Sequence, residues 1–279
     1  MQYETIRLKT SYDFLEGGWL KLLCMDSPWG SGRDWSRPMV VVVPGGAYWG
    51  VAKREGEPVA AEFFAKGYQV AVLNYLCREQ GARYPEQLFE LACAIDYIRK
   101  NAKGLKVNPK EIFVVGFSAG GHLVADFSNE FPTLKERTGC DLDCSVKAVG
   151  LSYPVIDDHD ESFENLLWNY DNEEKAKLKE FLKLTNRVGK KTPPTFLWTT
   201  AEDELVPAQN SLRYALALAD HGVPYELHVY PKGTHGKANG SLETNEKDHG
   251  DLAVIYGWTS DASRFFRSLC KEPFDPSKK

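Results

Sequence analysis

The sequence predicts an α/β fold, with a mostly parallel central sheet of about eight strands flanked by helices. Three observations carry this expectation. Segments of strand and helix character alternate along the chain, as in right-handed βαβ crossovers. The run MVVVV at 39–43 is apolar without a break, as strands buried on both faces are, and it stops at Pro44-Gly45-Gly46. No Pro-, Gly- or Ser-rich linker and no internal repeat divides the 279 residues, so 1–279 reads as a single domain.

The elements follow in order. Residues 4–9 and 19–25 read as strands joined at Glu16-Gly17-Gly18, an antiparallel edge to the sheet. After the 39–43 strand, Val59, Ala60, Phe63 and Phe64 fall at helical spacing across 57–66, and Gly67 closes that helix. Residues 69–74 form the next strand. A long helix over 85–102 carries Leu88, Leu91, Ala92, Ile95 and Ile98 on one stripe. Strands at 112–115, 149–153, 195–199 and 226–230 alternate with helices at 119–129, 207–221 and 252–269. The irregular stretch 157–191, acidic and then lysine-rich, is a short helical insertion over the carboxyl edge of the sheet. Its Lys175-to-Lys183 run alternates with Glu, the pattern of a solvated helix face.

Composition narrows the function. Hydrophobic residues make up 43% and charged residues 26%, ordinary for a globular protein. A chain of this size buries roughly three quarters of its unfolded surface, enough for a core without disulfide staples. The net charge of −5 and pI of about 5.8 leave no concentrated basic face, which argues against a nucleic-acid partner. The start of the chain carries Glu4 early and has no apolar leader, and no stretch is long enough to span a bilayer, so the expectation is a cytoplasmic protein off the membrane. Six cysteines (Cys24, Cys77, Cys93, Cys140, Cys144 and Cys270) sit mostly in apolar runs, as small buried hydrophobes do in a reducing compartment. Cys140 and Cys144, with three residues between them and no second pair or histidine cluster, make a poor zinc site. H-E-x-x-H, a P-loop and a G-x-G-x-x-G after the first strand are all absent, so the expectation is no metal and no cofactor.

In open α/β sheets ligands bind beyond the carboxyl ends of the strands, and three such positions carry coherent chemistry. Gly116-Phe-Ser-Ala-Gly120 is a G-x-S-x-G between a strand and a helix. That sharp turn needs small flanking residues, lifts the Ser118 hydroxyl to the sheet edge and sets it at a helix N-terminus that favours developing negative charge. Pro44-Gly-Gly-Ala-Tyr-Trp-Gly50 follows the apolar strand, and its Gly46 and Ala47 amides, with that of Ala119, are the expected oxyanion donors. Asp203 lies in a strand-to-helix loop ahead of Val206-Pro207, with Glu202 and Glu204 as competitors. His235 lies in the loop after the last strand. The order serine, acid, histidine is that of neither trypsin-like nor subtilisin-like proteases. Of the other histidines, His228 alternates within a strand and reads as structural, His122 as packing against the sheet, and His159, His221 and His249 as solvated. Tyr48 and Trp49 are placed to narrow a substrate pocket, and with Trp168 and Tyr170 could stack on a sugar ring, although packing is the blander role for each.

These motifs, together with Asn74-Tyr75, Ser152-Tyr-Pro154, Pro193-Pro-Thr-Phe196 and Gly233-Thr-His-Gly236, resemble the α/β-hydrolase esterases, in the acetyl-xylan and feruloyl esterase-like branch close to the hormone-sensitive-lipase group. The resemblance covers most of the chain. It implies the α/β-hydrolase fold and a serine carboxylesterase with Ser118 as nucleophile, His235 as base and Asp203 as the acid that orients it. Two departures stand out. Pro44-Gly-Gly-Ala47 replaces the His-Gly-Gly-Gly of the hormone-sensitive-lipase group, and Leu76 stands where relatives show the arginine of Asn-Tyr-Arg. No long apolar insertion resembles a lipase lid, so the expected substrate is a small-molecule ester with a short acyl chain, acetyl foremost, an acetylated oligosaccharide among the options. An amide hydrolase such as a formamidase would use the same triad, and a non-catalytic binding module on the same scaffold is the reading from another class.

Overall fold

A computed structural model describes residues 1–28, 35–131, 133–139, 141–157, 159–247 and 250–270. The chain opens with β1 (Gln2–Arg7), a single helical turn α1 (Leu8–Ser11) and β2 (Trp19–Cys24). Then follow β3 (Arg37–Val43), α2 (Glu57–Ala65), β4 (Gln69–Asn74), α3 (Glu86–Lys100), α4 (Ala102–Leu105), β5 (Val107–Phe117) and α5 (Ser118–Glu130). The second half holds α6 (Leu134–Thr138), β6 (Ala148–Ser152), α7 (Asp160–Leu166), α8 (Asn172–Phe181), β7 (Thr195–Thr200), α9 (Gln209–Asp220), β8 (Tyr225–Tyr230), α10 (Leu252–Ile255) and α11 (Trp258–Ser268).

The strands form one eight-stranded sheet in the order β1-β2-β4-β3-β5-β6-β7-β8. β1 pairs antiparallel with β2 and β2 antiparallel with β4, and every later pairing is parallel. The expected antiparallel edge is therefore present. The reversal of β3 and β4 relative to chain order puts the loop after β3 beside the turn after β5, which is what brings Gly45 to Ser118.

The apolar run in β3 shows why the core has two halves. Met39, Val41 and Val43 point to the side packed by Leu88, Leu91 and Ile95 of α3 and Val124 of α5, whereas Val40 and Val42 point to the side packed by Val59 and Phe63 of α2 and Trp258 and Phe266 of α11. Both sets are fully buried. Period-two alternation with no polar face is what a sheet covered on both sides demands. Phe266 stacks on Phe113 of β5 with ring centroids 4.6 Å apart.

Three expectations need correction. The helix expected over 252–269 is two, α10 and α11, because Gly257 takes φ +110, a conformation that interrupts the helical ladder. His159 is not merely solvated: its Nδ1 accepts from the Ser162 amide and caps α7. The helix expected to begin at 207 starts at Gln209. The 157–191 insertion is helical, as expected, and the lysines of α8 pair outward, Lys177 with Glu173 at 2.6 Å and Lys175 and Lys179 with Glu164 of α7 at 2.9 Å. His249 and Cys140 lie outside the described residues. No helix among the described residues is long and apolar enough to cross a membrane.

Candidate active site

Ser118 is the first residue of α5 and sits at φ +51, in the left-handed region that a non-glycine residue adopts only where its surroundings enforce it. The enforcement is steric. A Cβ at Gly120 would meet the Pro44 and Val43 carbonyl oxygens at 2.3 and 2.4 Å, and one at Gly116 would meet the Gly120 oxygen at 2.4 Å. Both flanking positions of the G-x-S-x-G are thus closed to any side chain, and the turn they permit aims the serine off the carboxyl end of β5.

Asp203 follows β7, and its loop is built around its own carboxylate. Oδ1 accepts the Leu205 amide at 3.1 Å and the Val206 amide at 2.8 Å, so Oδ2 is left to face the histidine. His235 follows β8. Its Nδ1 lies 2.7 Å from Asp203 Oδ2 and its Nε2 2.8 Å from Ser118 Oγ. A carboxylate can only accept, so Nδ1 carries the proton and Nε2 is free to accept from the serine hydroxyl. The Asp203 side chain is 0% exposed. Glu204 is exposed, and Glu202 has a different task, its Oε2 accepting the Gly233 amide at 3.0 Å and so holding the loop that carries His235. Tyr153, at φ +37 just after β6, lays its ring edge-to-face against the imidazole with centroids 4.9 Å apart.

The loop after β3 runs through φ values of +122, +51 and +58 at Gly46, Ala47 and Tyr48. The amides of Gly46, Ala47 and Ala119 donate to no acceptor among the described residues, as a hole waiting for an oxyanion requires. The loop is held from several sides. Tyr75 Oη donates to the Pro44 carbonyl at 2.8 Å, Asn165 Nδ2 of α7 donates to the Ala47 carbonyl at 2.9 Å, and the Glu55 carboxylate accepts the Gly45 amide at 2.8 Å. Arg78 in turn holds Asn165 Oδ1 at 2.9 Å.

Tyr48 does not narrow a pocket. Its left-handed backbone turns the ring inward to 2% exposure, and its hydroxyl meets His122 Nδ1 at 2.8 Å. His122 is the matching correction. It packs beneath the oxyanion loop rather than simply on the sheet, and burial depresses its pKa to about 3, so it stays neutral. Trp49, by contrast, is 53% exposed beside the loop, with the Arg78 guanidinium 5.4 Å over its ring. Trp168 Nε1 and Tyr170 Oη are tied to the Ala82 and Tyr84 carbonyls. His228 is structural, its Nε2 against Glu226 Oε1 at 2.8 Å, and His221 reaches its own helix at Ala217.

Two residues at the site were not foreseen from sequence. Glu55 stands in the charged run Lys53-Arg-Glu-Gly-Glu57, which reads as solvent-facing, yet it is 2% exposed. Asn165 lies in the insertion, where nothing in the local pattern distinguishes it.

The BD-FAE family model matches residues 28–218. The chain is 27% identical over 243 residues to an acetylxylan esterase of Xylanibacter ruminicola, covering 85% of this chain and 47% of that one. A crystal structure of an acetyl ester-xyloside bifunctional hydrolase from Caldicellulosiruptor lactoaceticus superposes with a TM-score of 0.79 at 32% identity, over 95% of this chain and 96% of the other. The carboxylesterase Cest-2923 from Lactobacillus plantarum gives 0.83 at 28% identity, over 98% and 100%. The chain spans 33% of the length of a further curated relative that it matches. Fold and neighbours define the class, the α/β-hydrolase fold, with carboxylesterases and acetyl ester hydrolases among the similar proteins. Within that class the chain belongs to the BD-FAE family.

Proposed function

We propose that this chain is a serine carboxylesterase that hydrolyses short-chain acyl esters, acetyl esters of carbohydrates foremost, within a single α/β-hydrolase domain. The observation that carries the reading is the unbroken row Asp203 Oδ2, His235 Nδ1, His235 Nε2 and Ser118 Oγ, with links of 2.7 and 2.8 Å, ending beside unpaired amides.

His235 takes the Ser118 proton as the hydroxyl oxygen attacks the ester carbonyl. The carbonyl oxygen becomes an oxyanion against the Gly46, Ala47 and Ala119 amides, while Asp203 fixes the tautomer and stabilises the imidazolium. The alkoxide departs with the proton from His235, leaving an acyl-serine. Water then enters, gives its proton to His235 and attacks the same carbonyl, and collapse returns the serine and frees the acid.

A carbohydrate alcohol is supported by the exposed Trp49 ring in the loop after β3 and by the acetyl ester-xyloside and acetylxylan activities in the names of the relatives. The test is a panel of p-nitrophenyl esters graded by acyl length, with acetylated xylo-oligosaccharides and formyl amides alongside. The expected outcome is a maximum at acetyl, with Ser118→Ala and His235→Ala each lowering kcat by about 10⁴-fold or more and the double variant no lower. Preference for formyl amides would replace the esterase reading, and turnover by Ser118→Ala at the wild-type level would remove it.

A further inference from the structure

We propose that Glu55 is a positioning residue for the reaction above, a buried carboxylate that ties the oxyanion loop and the histidine loop to each other. The inference rests on the serine esterase reading and adds to it a group outside the triad.

The two oxygens of Glu55 serve different halves of the site. Oε2 accepts the Gly45 amide at 2.8 Å, in the loop after β3. Oε1 accepts the Tyr153 hydroxyl at 2.9 Å, and that hydroxyl oxygen accepts the Ala238 amide at 2.9 Å, three residues beyond His235. Tyr153 is also the ring against which the imidazole rests. One carboxylate therefore spans from the amide ahead of the oxyanion donors to the aromatic support of the base. The distance to the chemistry is short. A Cβ on Gly45 would lie 2.8 Å from Ser118 Cβ and 2.9 Å from Glu55 Oε2, so a single glycine separates the carboxylate from the nucleophile. The same turn sends Arg54 to the histidine loop, where its Nη2 would lie 2.4 Å from a Cβ on Gly236.

A carboxylate suits this place because it accepts from both sides and donates to neither. Burial pushes the Glu55 carboxyl above its ordinary value, and the Gly45 amide, the Tyr153 hydroxyl, His235 and Arg54 pull it back. Glu55→Gln keeps the shape but has only one accepting oxygen, so either Gly45 or Tyr153 then faces an amide N–H.

The test uses p-nitrophenyl acetate turnover per active site titrated with a fluorophosphonate, and inhibition by a trifluoromethyl ketone, which must form a tetrahedral adduct in the oxyanion hole. Glu55→Gln is expected to lower kcat per titrated site by about 30-fold, to leave KM within about twofold, and to weaken the ketone by the same factor as kcat. A Glu55→Gln protein with wild-type kcat per site and wild-type ketone affinity overturns the inference, even if its melting temperature falls. Tyr153→Phe breaks the chain of contacts from the other side and carries the test if Glu55→Gln does not fold. It is expected to lose about fivefold in kcat with KM unmoved, and no loss overturns the inference. Ser118→Ala run in parallel separates the two readings: if it is silent while both other variants match wild type, only the role of Glu55 falls.

Discussion

Ser118 is held at a left-handed φ by neighbours that leave no room for a Cβ on either flanking glycine. Gly120→Ala should therefore cost about 3 kcal/mol or more and leave little activity in whatever folds, read by urea denaturation and ester turnover. Asp203→Asn keeps its contacts to Leu205 and Val206 through one oxygen but offers an amide to the imidazole. It should lower kcat by about 10³–10⁴-fold with an unchanged melting profile. Away from the site, Glu90 is fully buried on α3, with one oxygen on the Leu76 amide, and burial raises its pKa to about 8. No cation pairs with Glu90 among the described residues, and its Oε1 meets no hydrogen-bond partner there. The folded protein thus holds this proton more tightly than the unfolded chain does. Stability from this group is full below the ordinary carboxylate range, falls as pH rises toward about 8, and is lost above it. Glu90→Gln should remove that slope and gain on the order of 3 kcal/mol over wild type at pH 9 relative to pH 5, measured as paired urea midpoints. At this scale the sequence was most legible where chemistry forces residue identity, as in Gly116-Phe-Ser-Ala-Gly120 and Asp203. It was mute where burial alone gives meaning, since Glu55 and Glu90 look like surface carboxylates in any one-dimensional reading.

At the scale of elements, α7 does more than cover the sheet edge. Its Asn165 bridges the Ala47 carbonyl to the Arg78 guanidinium, and its Phe163 meets His122 edge-to-face at 5.3 Å. Asn165→Ala frees the oxyanion loop on one side and should lower kcat by about tenfold while the far-ultraviolet circular dichroism stays as in wild type. Strands were readable where both faces are apolar: β3 and β4 needed only their runs of Val, Ala and Leu. β5 extends well past the predicted 112–115, to Val107–Phe117, because Val107 pairs with Arg37 of β3 ahead of a register shift, and the mostly polar residues 108–111 that span the shift hide the strand from a reading by composition. The last helix was over-read because the amphipathic pattern continues across Gly257, and only the backbone angle there shows the break.

For the whole molecule, the sheet has an apolar layer on each face, and the stacked pair Phe113 and Phe266 joins the C-terminal α11 to the central β5. Phe266→Ala should cost about 4 kcal/mol, seen as a lower urea midpoint with an unchanged slope. Its effect on turnover per folded molecule should be small, since α11 lies on the face away from α3 and α5. The architecture was legible from the alternation of elements because a parallel sheet needs a crossover between every pair of strands. The insertion's grip on the oxyanion loop was not, because it depends on contacts between residues more than a hundred positions apart. The position of β8 has a consequence of its own. It is the outermost strand, bonded only to β7 and half-exposed along its length, and the loop that follows it carries His235 to Ser118. Ser118, by contrast, leaves the interior of the sheet. On the proposed mechanism, fraying of one margin is thus enough to silence hydrolysis while the body of the protein stays folded. In a urea titration, hydrolysis should vanish at a lower concentration than the one that melts the backbone, with amide exchange fastest across 225–240 in the interval between.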